Sequence, residues 1–98
     1  MNLQNIMAQA QRMNREITQK QEEIYAMKFV GKSEWITITM TGKKEVVKTE
    51  ITYDGDLNAD KEMLADMLTI AINDAHRQID NEIEKKLGVY SKQLGGLM

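Results

Sequence analysis

The chain has 98 residues with 13 Lys+Arg, 15 Asp+Glu, one His, no Cys and no Pro, and a formal net charge of −2. That length argues for one domain over residues 1–98, and the lack of Cys excludes disulfides, thiolate metal sites and cysteine nucleophiles. Hydrophobic residues at 42% place the chain among globular proteins, but with five aromatics it is short of core, which favours burial against a second subunit.

The first twenty residues interleave apolar and amide side chains, with no unbroken apolar stretch for a secretory signal. No run approaches the ~18 apolar residues of a membrane span. The expectation is a soluble cytoplasmic protein with no membrane partner.

From Leu3 to Met27, Leu3, Ala10, Ile17 and Ile24 recur every seven residues. Ile6, Met13 and Met27 form a second line that Lys20 interrupts. This spacing predicts a long helix with a coiled-coil-like apolar seam.

From Lys28 to Tyr53 the period changes to two. Ile36, Ile38 and Met40 alternate with Thr37, Thr39 and Thr41, and Val47, Thr49, Ile51 and Tyr53 alternate with Lys48 and Glu50. Phe29 and Val30 carry a shorter strand signal before Gly31, and Gly42-Lys43-Lys44 reads as a hairpin connection. A three-stranded antiparallel meander follows, one face buried and the other wetter.

After Asp54-Gly55-Asp56, Asn58 or Asp60 is placed to cap a second helix whose first turns are acidic. Leu64, Leu68, Ala71, Ala75, Ile79 and Ile83 follow at helical steps, with Met67 and Ile72 widening the stripe. Gly88 offers a stop after Leu87, leaving residues 89–98 as a mobile tail.

The layout is an α+β protomer of order α-β-β-β-α. Strands of ~6–8 residues span only ~20–27 Å, so both long helices overhang the sheet. A two-fold homodimer covers the apolar surface left over, with Ile17, Ile24, Trp35, Ile38, Leu68, Ile72 and Ile79 as its candidate interface.

The chain resembles the YbaB/EbfC family of small bacterial nucleoid-associated proteins. The likeness lies in Met7-Ala8-Gln9-Ala10-Gln11, Gln21-Glu22-Glu23-Ile24, Val30-Gly31 and Gly42. It is strongest in Asp60-Lys61-Glu62-Met63-Leu64-Ala65-Asp66-Met67 with Ala71-Ile72-Asn73-Asp74-Ala75. The resemblance implies a tweezer-like homodimer that binds duplex DNA with low sequence selectivity and influences nucleoid organisation and gene expression. The chain departs from the family pattern at Lys32-Ser33-Glu34-Trp35, where a Gly-rich turn is usual, and in a shorter tail without proline.

Net charge does not decide DNA binding, because the position of the charges does. Residues 1–53 hold eight basic and six acidic side chains, residues 54–84 two and nine, and residues 85–98 three and none. Positive charge is thus displaced to the two chain ends. Arg12, Arg15, Lys20, Arg77, Lys85, Lys86 and Lys92 are the candidate phosphate contacts. The competing reading is a solvated face: Arg12 and Lys20 have Glu16 and Glu23 at helical spacing, and lysines at a helix C-terminus suit its dipole. Lys43-Lys44 reads first as a hairpin tip. Nothing resembles a recognition helix aimed at base edges.

No enzymatic reading gains support. His76 has no Cys or second His to complete a triad or zinc site. Asp54 and Asp56 lack the other oxygen ligands of a calcium loop. Trp35 alone does not make a base-stacking sheet. No catalytic residue, cofactor, metal or small-molecule substrate is expected. The alternative function is a protein-interaction or adaptor module that uses the helical seams and binds no DNA.

Overall fold

The computed structural model describes residues 2–93, with side chains as far as Tyr90. The elements are α1 (Leu3–Ala26), β1 (Lys28–Lys32), β2 (Ile36–Thr41), β3 (Val46–Ile51) and α2 (Lys61–Gln93). The expected α-β-β-β-α order and antiparallel β1-β2-β3 meander are both present.

Asn2 caps α1, its side chain accepting the Gln4 N–H at 2.9 Å. Met27 turns the chain out of the helix in extended geometry while its own N–H donates to the Ile24 carbonyl at 3.0 Å. Asp60, one of the two expected caps, stands immediately before α2. The Asp60 carboxylate is engaged by the Tyr53 hydroxyl. The Asp60 backbone carbonyl instead opens the helix, accepting from Leu64 N–H at 2.9 Å. Asp56 orders the preceding turn by accepting from Asn58 N–H at 2.9 Å.

The predicted stop at Gly88 does not occur. The helix continues to Gln93, because Leu87 and Tyr90 bury against Ile24 of α1. That packing outweighs the ~1 kcal/mol that glycine costs inside a helix. Residues 89–93, expected in the tail, are therefore helical, and residues 94–98 lie outside the described residues.

In β2, Ile36, Ile38 and Met40 are buried and the intervening threonines half-buried. Pairing puts Phe29 opposite Met40 and Gly31 opposite Ile38, so these residues share the inner face. α2 lies on that face with Ala71, Ala75 and Ile79 fully buried. A second cluster, Ile24 with Leu87 and Tyr90, joins the two helices, and Met13, Ile17 and Ile83 pack against it.

α2 also closes the outer edge of β1. Asp74 accepts from the Lys32 N–H at 3.0 Å, and the Gln78 amide donates to the Val30 carbonyl at 2.8 Å. Such side chains blunt an edge that would otherwise pair with another strand. Among the described residues the β3 side has no such cover, and every β3 residue is exposed, including Val46, Val47 and Ile51. The buried face expected of β3 is thus not buried within one protomer, because α2 crosses β1 and β2 instead. A bulge at Thr39/Met40 shifts the β2–β3 register, pairing Met40 with Val46.

Candidate nucleic-acid interface

α1 and α2 run antiparallel where they meet. Glu23 of α1 lies beside Lys86 of α2, and Glu16, two turns earlier, beside Tyr90. The basic start of the chain therefore lies alongside the C-terminal end of α2. Leu3 to Arg15 contains Arg12 and Arg15 and no acidic residue. Asp54, Asp56, Asp60, Glu62 and Asp66 occupy the opposite end of α2. At 1.5 Å per residue, Asp66 and Tyr90 are about 36 Å apart along the helix. The molecule, 70 Å long, thus separates its charge lengthwise.

The seven basic candidates do not form one patch. Arg12 lines a cleft between the helices with Gln9, Met13, Glu16, Val89 and Tyr90. Lys20, half-buried, lines its continuation with Gln19 and Glu23. Arg15 is nine residues before Ile24, about 180° away on the helical wheel, so it points away from α2. Arg77 pairs with Asp74 at 3.5 Å, far down α2. Lys85 is exposed. Lys86 is half-buried between Glu23, at 3.4 Å, and Glu82, at 3.7 Å. The side chain of Lys92 lies outside the described residues.

Three of the candidate interface residues belong to the protomer's own core. Ile24, Ile38 and Ile79 are at most 1% exposed, because the helix pair and the α2–sheet contact consume them. They have no surface left for a second copy. Ile17 and Ile72 are half-buried, Leu68 is exposed, and Trp35 stacks on Tyr53 with ring centroids 3.9 Å apart.

The Tyr90 hydroxyl donates to Glu16 at 3.1 Å. Burial, then this bond to a carboxylate, raises its pKa above the ordinary 10.0. Tyr53 is raised likewise, chiefly by donating to Asp60. Tyr90 thus belongs to the site although a tail is expected beyond Leu87. The available signal was the stripe Ile79, Ile83, Leu87, Tyr90, which keeps helical spacing past Gly88.

The model of the YbaB/EbfC DNA-binding family matches residues 1–94. The chain belongs to that family. It is 44% identical over 99 residues to a nucleoid-associated protein of Streptococcus uberis, covering 96% of this chain and 97% of the relative. It is 43% identical over 96 residues to a nucleoid-associated protein of Streptococcus pneumoniae, with the same coverage. The crystal structure of an uncharacterized protein from Helicobacter pylori shares the fold at TM-score 0.73 and 23% identity, over 96% of this chain and 98% of that one. The family is defined by DNA binding and not by a reaction. Among the described residues, no helix is long and apolar enough to cross a membrane.

Proposed function

We propose that this chain is a nucleoid-associated protein of the cytoplasm that binds duplex DNA as a homodimer, with low sequence specificity, through phosphate contacts. The observation that carries the reading is the lengthwise charge separation. The helix-pair end presents Arg12, Arg15 and Lys85 clear of the acidic start of α2, so an overall charge of −2 does not repel DNA from that end. Phosphate neutralisation depends on where exposed cations stand rather than on the net charge of the protein. None of these side chains belongs to a helix shaped to read base edges, which supports low selectivity.

The homodimer is supported by the uncovered inner face of β3. Ile51 and Val46 are 49% exposed, and Leu68 on the neighbouring helix is 37% exposed. These residues continue the protomer core laterally, and a second copy placed about a two-fold axis would cover like with like. Half-buried Ile72 extends the same surface.

The test is fluorescence anisotropy of a mixed-sequence duplex, titrated across salt. A linear fall of log affinity with log salt is expected, its slope giving the number of phosphates engaged. Charge reversal at Arg12, Arg15 and Lys85 should weaken binding by about tenfold or more without changing the sedimenting mass. An intact dimer that binds no duplex even at low salt would move the assignment to a protein-interaction module.

A further inference from the structure

The outer face of the sheet has a composition the proposed helical contacts do not use. Cross-strand pairing orders it in rows. Lys32, Thr37 and Glu50 form one, Val30, Thr39 and Lys48 the next, and Lys28 and Thr41 the third. α2 lies on the opposite face, against Phe29, Ile38 and Met40. The outer face of one protomer therefore carries three lysines and one glutamate over a floor of threonine hydroxyls. Lys28, Lys32 and Lys48 are all exposed. Among the described residues Glu50 pairs with Lys48 alone, at 3.6 Å and in an exposed position. Among the described residues the ammonium groups of Lys28 and Lys32 make no ion pair, and Asp74 at the β1 edge accepts from the Lys32 backbone N–H.

We propose that this lysine–threonine face is a second surface of the protein for the sugar–phosphate backbone of duplex DNA. Strands lie ~4.8 Å apart and rise ~3.4 Å per residue, so the backbone positions of the three lysines form a triangle with sides of roughly 12–14 Å. That spacing is close to the ~12 Å width of the major groove and suits separate phosphates rather than a pocket for a single one. Threonine is short, so the lysine ammonium groups are the outermost atoms and meet the polyanion first. The hydroxyls beneath them are donors for phosphate oxygens that come close. The face also lies opposite the β3 and Leu68 surface assigned to the second copy, so dimerisation leaves it open. Its excess of positive charge contrasts with residues 54–84, which hold nine acidic and two basic side chains.

The inference rests on the DNA-binding reading, and the experiment separates the two. A labelled duplex of about 20 base pairs is titrated with wild type, with the triple variant Lys28→Gln, Lys32→Gln, Lys48→Gln, and with Glu50→Gln, across salt. The triple variant should bind about tenfold or more weakly near 0.1 M salt, with a salt slope shallower by roughly two to three per protomer engaged. Glu50→Gln should bind more tightly, a gain that misfolding cannot produce. Circular dichroism and sedimentation establish that each variant keeps its fold and mass. A folded triple variant with wild-type affinity and slope would overturn the sheet-face proposal and leave the DNA-binding reading standing. A wild-type protein that does not bind the duplex at low salt would overturn both.

Discussion

Gly31 of β1 lies in direct contact with the backbone of α2 at Ala71. A β-carbon on Gly31 would run into the Ala71 carbonyl oxygen and stand 2.6 Å from the Ala75 nitrogen. Strand and helix meet here without an intervening side chain, and Ala71 and Ala75 are fully buried as a result. Gly31→Ala must push backbone against backbone. It should destabilise the fold by about 1–3 kcal/mol, read as a lower denaturant midpoint with an unchanged slope.

Lys86 separates a structural role from a DNA-binding one. Its ammonium group bridges Glu23 on α1 and Glu82 on α2 in a half-buried position. Lys86→Gln should cost at most about 1 kcal/mol of stability. It should change duplex affinity much less than Arg12→Gln or Arg15→Gln, whose side chains are exposed. Paired thermal melts and anisotropy titrations of the three variants check this.

Self-association is expected to depend on Leu68, Ile72 and Ile51 rather than on Ile38 or Ile79. Leu68→Asp or Ile51→Lys should give a folded monomer in sedimentation velocity. Ile79→Ala should leave the association intact but lower stability by about 2–5 kcal/mol, because it empties space inside one protomer.

The Tyr90–Glu16 contact predicts alkaline sensitivity. Burial and the carboxylate acceptor raise the Tyr90 pKa above 10.0 in the folded chain. Its contribution is complete below pH 10, where both folded and unfolded tyrosine keep the proton. As pH rises past 10 the unfolded chain releases that proton first, so stability falls toward the higher folded pKa. Tyr90→Phe should flatten this part of the pH–melting curve relative to wild type, and the difference between the two curves measures it.

Element order, strand identity and the apolar stripe of α2 were legible in the sequence because each rests on local periodicity. Ile36, Ile38 and Met40 alternate with threonines whatever lies beyond them, and the resulting face is the one α2 covers. The helix runs through Gly88 because glycine's local penalty is smaller than the packing of Leu87 and Tyr90 on Ile24, and that packing involves residues more than sixty positions apart in the sequence. The same limit applies to the interface. Ile24, Ile38, Leu68 and Ile72 are indistinguishable as apolar residues on a stripe. Only tertiary packing tells them apart: the contact of α1 with α2 buries Ile24, the path of α2 over β1 and β2 buries Ile38, and Leu68 and Ile72 stay partly exposed.

Fold class, hairpins and the displacement of positive charge to the chain ends follow from side-chain chemistry and spacing along the chain. Tertiary structure alone decided that the two basic ends meet, through the antiparallel contact of α1 with α2. It also decided that Lys86 is held between two carboxylates, and that three lysines from β1 and β3 share one sheet face with the threonines of β2. Electrostatic function depends on distances through space, and those distances exist only once the helices and strands have packed.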